Sequence, residues 1–277
     1  MLSPNGPRSI VLVGAGKMGG ALLKGWLASS SLSSLQITVI QRTPSDALQA
    51  LCEERNVRLN CDLKQIIGSD LIVLAIKPQQ FAEVGALLRP YVIHETTILS
   101  VMTGKTLAAL RSMFPQAQAC VRTMPNILAT VGRSITPAII DDPTHGVSKA
   151  YADAVLEAIG TVEWIADEVL LDGVTAVSGS GPAYVFYLVD CLAEAGKKQG
   201  LPGDLAMRLA RATVAGSGVF LESTQTSPSV LREQVTSPGG TTAEALAHLM
   251  NSKTGLQPLM NEAVAAACQR SRVLTDA

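Results

Sequence analysis

The sequence predicts an α/β domain built on a parallel sheet over residues 1–166, followed by an all-helical domain over residues 167–277. Three observations carry this reading. In the first half, short β-branched runs alternate with stretches of helical spacing, the pattern of strands joined by crossover helices. The first strand runs directly into a glycine-rich turn at the mouth of a helix. Past Ala166 the strand-like runs stop and Ala- and Leu-rich helical stretches take over.

Taken in order, residues 9–13, 36–40, 71–76, 97–101 and 119–123 read as strands. They are near-continuous apolar runs, as expected of strands covered on both faces. Between them, residues 17–28, 44–54, 63–68, 81–88 and 107–114 carry helical spacing. A helix over 148–159 and a strand over 162–165 complete the first domain. The serine cluster at 29–34 reads as a loop. In the second domain, 182–198, 205–224 and 242–251 read as helices, separated by turn signals at Gly200–Pro202 and Ser237–Gly240. A last long helix is predicted over 255–272.

Composition narrows the function. The chain is 47% hydrophobic and 16% charged, enough apolar material for a core and too little charge for a disordered chain. A net charge of -1 and 4% aromatic content supply neither the basic field nor the stacking rings of a nucleic-acid binder. Five scattered cysteines and three scattered histidines match neither a disulfide framework nor a metal site. No apolar run is long enough to cross a bilayer. These features lead us to expect a soluble, reduced, cytoplasmic protein without nucleic-acid or membrane partners. The cysteines are expected to be buried small hydrophobes. Trp26 and Trp164 are expected in a core or interface. Tyr184, Phe186, Tyr187 and Phe220 are expected to fill helical packing, and His248 to lie at the surface.

Gly14-Ala15-Gly16-Lys17-Met18-Gly19 sets G-x-G-x-x-G between the first strand and the first helix. A tight turn, close approach of a pyrophosphate and close helix packing each need a missing side chain, and the helix N-terminus offers free N–H groups. This predicts a dinucleotide cofactor. The second strand ends in Gln41-Arg42-Thr43, without the acid that would bind an NAD ribose. Arg42, with Thr43, suits a 2′-phosphate, which favours NADPH over NADH; a solvated surface arginine is the alternative. Thr43 and Asp46 have capping-box-like spacing, with Pro44 at the first helical position. Ala75-Ile76-Lys77-Pro78 ends a later strand on the ligand rim of such a sheet. Lys77 there meets the cofactor or an anionic substrate, or is a solvated loop lysine. Met124-Pro125-Asn126 ends another strand on the same rim, in position for the nicotinamide.

In the second half, the small residues from Ser178 to Ala183 open a helix, which permits close approach of a backbone or a ligand. Ser237-Pro238-Gly239-Gly240-Thr241-Thr242 places two glycines before a helix start, with Thr241 and Glu244 at capping-box spacing. Such a turn forms a nest of outward N–H groups for a small carboxylate; an ordinary capped helix is the alternative.

In this order, the glycine loop, Ala75-Ile76-Lys77-Pro78, Met124-Pro125-Asn126, the segment from Gly179 to Tyr184 and the segment from Ser237 to Thr242 resemble the pyrroline-5-carboxylate reductases over essentially the whole chain. The resemblance implies a Rossmann domain followed by a helical dimerisation domain, with substrate near the dimer interface. It also implies a homodimer, in some members built into larger rings such as a decamer. The implied reaction is reduction of L-1-pyrroline-5-carboxylate to L-proline by NAD(P)H, the last step of proline synthesis. Ser237, Gly239, Gly240, Thr241 and Thr242, with Lys77, are the expected substrate contacts. By resemblance, the Thr242 hydroxyl touches the ring nitrogen, where it positions the iminium or relays a proton from water. A β-hydroxyacid dehydrogenase is the nearest rival, but four residues past Gly181 it would need a lysine where this chain has Val185. A non-catalytic NADP-binding regulator is a rival of another class, and would not need the second-half loop.

Overall fold

The computed structural model describes residues 6–275. The chain forms two compact units, Met1–Gly179 with Cys268–Ala277, and Ser180–Ala267. In the first unit the described residues form one eight-stranded sheet, ordered β3-β2-β1-β4-β5-β6-β7-β8. The strands are β1 (Ser9–Val13), β2 (Gln36–Ile40), β3 (Arg58–Leu59), β4 (Leu71–Leu74), β5 (Thr97–Ser100), β6 (Ala119–Thr123), β7 (Ser134–Ile140) and β8 (Gly160–Trp164). All pairings are parallel except β6 with β7. The expected parallel sheet therefore carries one antiparallel junction.

Helices cover both faces. They are α1 (Lys17–Ala28), α2 (Asp46–Glu54), α3 (Phe81–Leu88), α4 (Leu107–Met113), α5 (Gly146–Leu156) and α6 (Leu170–Val174). Alternate residues of β1 enter opposite cores, as the two-residue strand period requires. Ile10 and Leu12 share a cluster with Leu22, Leu23 and Trp26 of α1 and with Val155 and Leu156 of α5. Val11 and Val13 share the other with Phe81 and Leu88 of α3 and Leu107 and Leu110 of α4. Each such side chain contributes about 1.5–3 kcal/mol on full burial. The buried Trp26 also donates its indole N–H to the Val155 carbonyl at 2.8 Å, which ties α1 to α5.

Three local features differ from, or lie outside, the sequence reading. Residues 134–140, for which no element was expected, form a strand even though Pro137 lacks the N–H a ladder needs. β7 tolerates it: the Pro137 carbonyl accepts from Met124 N–H at 3.0 Å while its nitrogen goes unused. Residues 63–68 form only a short 3-10 turn, Leu63–Ile66, whose first N–H groups are capped by Asp62. Ahead of Ser180, α6 passes into a single π-helical turn, Thr175–Gly179.

The second unit is helical throughout its described length. It contains α7 (Gly181–Lys198), α8 (Gly203–Glu222), α9 (Pro228–Gln234), α10 (Thr241–Leu249) and the first part of α11 (Leu256–Thr275). Its buried apolar cluster consists of Ala193, Ala206 and Ala210, with Val189 and Met207 against it. Phe186, Tyr187 and Phe220, expected to fill helical packing, are instead exposed. His248 is exposed as expected. Of the cysteines, Cys52 and Cys120 are buried, whereas Cys191 is exposed, against expectation.

Candidate cofactor and substrate sites

Strand order reverses at β1, which has β2 on one side and β4 on the other, so the crevice of a doubly wound sheet opens beyond its carboxyl end. The glycine turn fills that position. Gly14 has φ +91°, and a side chain there would lie 2.7 Å from the Ala75 carbonyl. A side chain at Gly19 would collide with the Gly14 carbonyl. These two glycines are required by the protein's own backbone. Gly16 is different, because a Cβ built there meets nothing within 4 Å. It is the N-cap of α1 with no side-chain cap, and the first turn of that helix has no acid. The α1 N-terminus thus presents a positive dipole end and bare backbone beside open space, which fits a pyrophosphate. A groove of about 830 Å³ runs from there along α1 as far as Ala28, with Gly16, Gly20 and Lys24 on one wall and Ser45, Leu48 and Leu51 on another.

The ends of three strands are knit to this turn. Gly14 N–H donates to the Ile40 carbonyl at 2.8 Å, and Ala15 N–H to Gln41 Oε1 at 2.8 Å. The Gln41 side-chain amide donates in turn to the Thr43 carbonyl at 3.3 Å. A neutral amide rather than an acid therefore ends β2, and the exposed Arg42 and Thr43 follow it. The α2 cap is not Thr43 but Ser45, whose hydroxyl accepts from Leu48 N–H at 3.3 Å. Pro44 accordingly lies ahead of the helix, and Thr43 keeps its hydroxyl free of capping.

After β4, Ala75 and Ile76 line the glycine turn and the exposed Lys77 follows. Lys77 N–H donates to Gln80 Oε1 at 3.2 Å and the Lys77 carbonyl accepts from Gln80 N–H at 2.9 Å, so Pro78 sits in a closed turn. Past β6, Met124 receives the Thr103 hydroxyl at 3.8 Å through its sulfur. The buried Asn126 donates its side-chain amide to the Ser178 carbonyl at 3.0 Å and accepts from Leu128 N–H at 3.0 Å. Its amide is thus committed to holding the π turn; Pro125 is buried as well, and Met124 is the partly exposed residue of that segment. Arg122, which the sequence did not single out, is a buried cation paired at 2.7 Å with Glu168. The same Glu168 oxygen accepts from Leu107 N–H at 2.8 Å.

In the second unit, Ser237 to Gly240 forms a tight turn closed by Gly240 N–H to the Ser237 carbonyl at 3.0 Å. Gly239 has φ +69°, the left-handed region that glycine occupies without strain. A side chain at Gly240 would strike the Ser237 hydroxyl. The expected capping box does not form: Gly240 is the N-cap, Thr241 is the first helical residue, and no side chain caps α10. The first N–H groups of that helix are left for another acceptor. Thr242, half-buried on the first turn, brings a hydroxyl beside them. In α7 the lysines are Lys197 and Lys198 in the last turn, far along the helix from the position where a hydroxyacid dehydrogenase needs its acid. Among the described residues no group of acids, histidines and cysteines could hold a metal ion.

Two family models match the chain. Residues 9–104 match the family model for NADP oxidoreductase, coenzyme F420-dependent, and residues 168–274 match that for pyrroline-5-carboxylate reductase dimerisation. The chain is 32% identical over 267 residues to a pyrroline-5-carboxylate reductase of Pseudomonas aeruginosa, covering 96% of this chain and 97% of that protein. It is 35% identical over 265 residues to the Synechocystis reductase, covering 95% and 97%. A solved pyrroline-5-carboxylate reductase from Coxiella burnetii superposes with a TM-score of 0.88 at 31% identity, over 96% of this chain and 98% of that one. The Plasmodium falciparum pyrroline carboxylate reductase, solved with NADP bound, has a TM-score of 0.79 at 25% identity, over 97% and 98%. With a Rossmann sheet, a matched dimerisation module and such identity along nearly its full length, this chain belongs to the pyrroline-5-carboxylate reductase family.

Proposed function

We propose that the chain reduces L-1-pyrroline-5-carboxylate to L-proline, with NADPH preferred and NADH accepted, as the last step of proline synthesis in the cytoplasm. The nicotinamide cofactor supplies a hydride to the imine carbon. The chain's own task is to bind, orient and exclude water, because a protonated imine is already a strong acceptor. The open face at Gly16 and the uncapped α1 N-terminus receive the pyrophosphate, with Ala15, Lys17 and Met18 alongside. Gln41, Arg42 and Thr43 receive the 2′-phosphate end. Ala75, Ile76, Lys77 and Pro78, with Met124 and Pro125, border the nicotinamide end, and Asn126 holds that border in place.

The carrying observation for the substrate is the turn at Ser237, Gly239 and Gly240, which leaves the α10 N–H groups without a cap. We assign these donors, from Gly240 to Thr242, to the substrate carboxylate. The Thr242 hydroxyl is assigned to the ring nitrogen. A threonine is too weak an acid to protonate the imine by itself, so it orients the iminium or relays a proton from water. Functionally, we place the division between cofactor and substrate domains at residues 166 and 167, with self-association through the second. The test is NADPH consumption with pyrroline-5-carboxylate, beside NADH and a six-membered cyclic imine. Proline formation with NADPH oxidised faster than NADH is expected. Cofactor binding with no turnover on either imine would overturn the substrate assignment.

A further inference from the structure

At the mouth of the cofactor crevice, Asn60 holds the end of β2 from outside the site. Its backbone N–H donates to the Val39 carbonyl at 2.8 Å, so it continues the short ladder of β3. Its φ of +52° then turns the side chain back along β2. There the Asn60 amide pairs with both backbone groups of one residue, Gln41. Gln41 N–H donates to Asn60 Oδ1 at 2.8 Å, and Asn60 Nδ2 donates to the Gln41 carbonyl at 2.9 Å. The Gln41 side chain in turn receives Ala15 N–H of the glycine turn. The Gln41 carbonyl belongs to the peptide that leads into Arg42.

We propose that Asn60 is a positioning residue for cofactor choice: by clamping both backbone groups of Gln41 it fixes the departure of Arg42 and Thr43 toward the 2′-phosphate of NADPH. The proposal rests on the reading of Arg42 as the 2′-phosphate partner. Backbone groups at the exposed end of a strand would otherwise exchange between water and protein, and an arginine leaving such an end loses its fixed direction. A cofactor without the 2′-phosphate gains little from that direction. Asn60 therefore acts on NADPH affinity more than on NADH affinity, and not on the hydride step.

The variant of choice is Asn60→Gly, since glycine adopts φ +52° without strain and deletes only the side-chain clamp. NADPH and NADH dissociation constants would be measured by fluorescence titration without substrate, for the wild type, Asn60→Gly, Arg42→Ala and the double variant. The expected result is NADPH affinity weakened on the order of tenfold in Asn60→Gly, from the loss of two hydrogen bonds at the site, with NADH affinity changed much less. kcat at saturating NADPH stays at the wild-type value. In the Arg42→Ala background the NADPH-specific effect of Asn60→Gly disappears, the non-additivity expected of residues acting through one another. If Arg42→Ala lowers the NADPH preference and Asn60→Gly does not, the positioning role of Asn60 is wrong while the phosphate site stands. If Arg42→Ala leaves the preference unchanged, the 2′-phosphate assignment falls and the proposal falls with it. An equal loss of both cofactors in Asn60→Gly, with a lowered thermal midpoint, would make Asn60 merely structural.

Discussion

Gly14 and Gly16 stand two residues apart and answer to different constraints, which a pair of substitutions separates. Gly14→Ala must place a methyl 2.7 Å from the Ala75 carbonyl at φ +91°, so it should lower the thermal midpoint with or without cofactor. Gly16→Ala meets no protein atom within 4 Å and should leave the cofactor-free midpoint unchanged. Its methyl instead occupies the space assigned to the pyrophosphate, and NADPH affinity should fall on the order of tenfold or more. Thr242→Ala removes the hydroxyl assigned to the ring nitrogen. We expect kcat to fall on the order of 100-fold with NADPH affinity retained, and Thr242→Ser to restore most of it. Unchanged kinetics in Thr242→Ala would remove the residue from the mechanism. Cys120 gives a pH test: burial pushes its thiol up to about 12, with Asp141 adding to the rise and Arg111 opposing it. A raised thiol pKa means that the reactive thiolate is absent below that range, so at pH 8 Cys120 should resist disulfide reagents until the protein unfolds.

The clearest device at the scale of elements is Glu168, whose one carboxylate oxygen holds Arg122 of β6 and the N–H of Leu107 at the α4 start. Glu168→Ala leaves the buried Arg122 charge without its partner and frees the Leu107 N–H, while Thr106 still caps α4. Loss of one member of such a pair costs about 3–5 kcal/mol, and urea unfolding of Glu168→Ala should show a midpoint lowered accordingly. A smaller loss would mean that water reaches Arg122. Nothing in the sequence pointed to this pair, because the partners lie 46 positions apart and an acid beside a strand end looks like any surface charge. What was legible had local causes. β1, β2, β6, α1 and α3 fall on their expected residues, since unbroken apolar runs and helical spacing report burial directly. What was hidden depended on tertiary partners. No element was expected at β7, and the strand forms despite Pro137 because Met124 N–H donates to the Pro137 carbonyl on one side and β8 pairs on the other. The two residues of β3 carry no periodicity at all, and so Asn60 was invisible. Both predicted capping boxes failed where a neighbouring residue, Ser45 or Gly240, was the better fit to cap geometry. The glycine turn and the Ser237–Gly240 turn were readable because their chemistry is backbone chemistry, written in glycines and proline.

At the scale of the whole molecule, the helical unit is short of core. Its buried cluster is three alanines, whereas Phe186 is 57%, Tyr187 70% and Phe220 54% exposed. Three alanines cannot offset the conformational entropy of ordering five helices, and each exposed ring forgoes a large part of the about 1.5–3 kcal/mol that full burial brings. Apolar surface on this scale is what an interface supplies. The match of residues 168–274 to a dimerisation module points to a second copy of the same chain as the partner. Folding of this unit and association should then be one equilibrium, so that the thermal midpoint rises with protein concentration. Light scattering on the purified protein should give at least twice the chain mass of 29.0 kDa, and ten times that mass if dimers close into a ring. Phe186→Asp combined with Phe220→Asp puts charges on the exposed apolar face and should yield monomers that lose helicity and turnover together. The sheet unit, with its own cores on both faces, should keep NADPH binding in that variant. A double variant that stays dimeric and active would place the interface elsewhere. A well-folded, concentration-independent monomer would refute the coupling of association to folding.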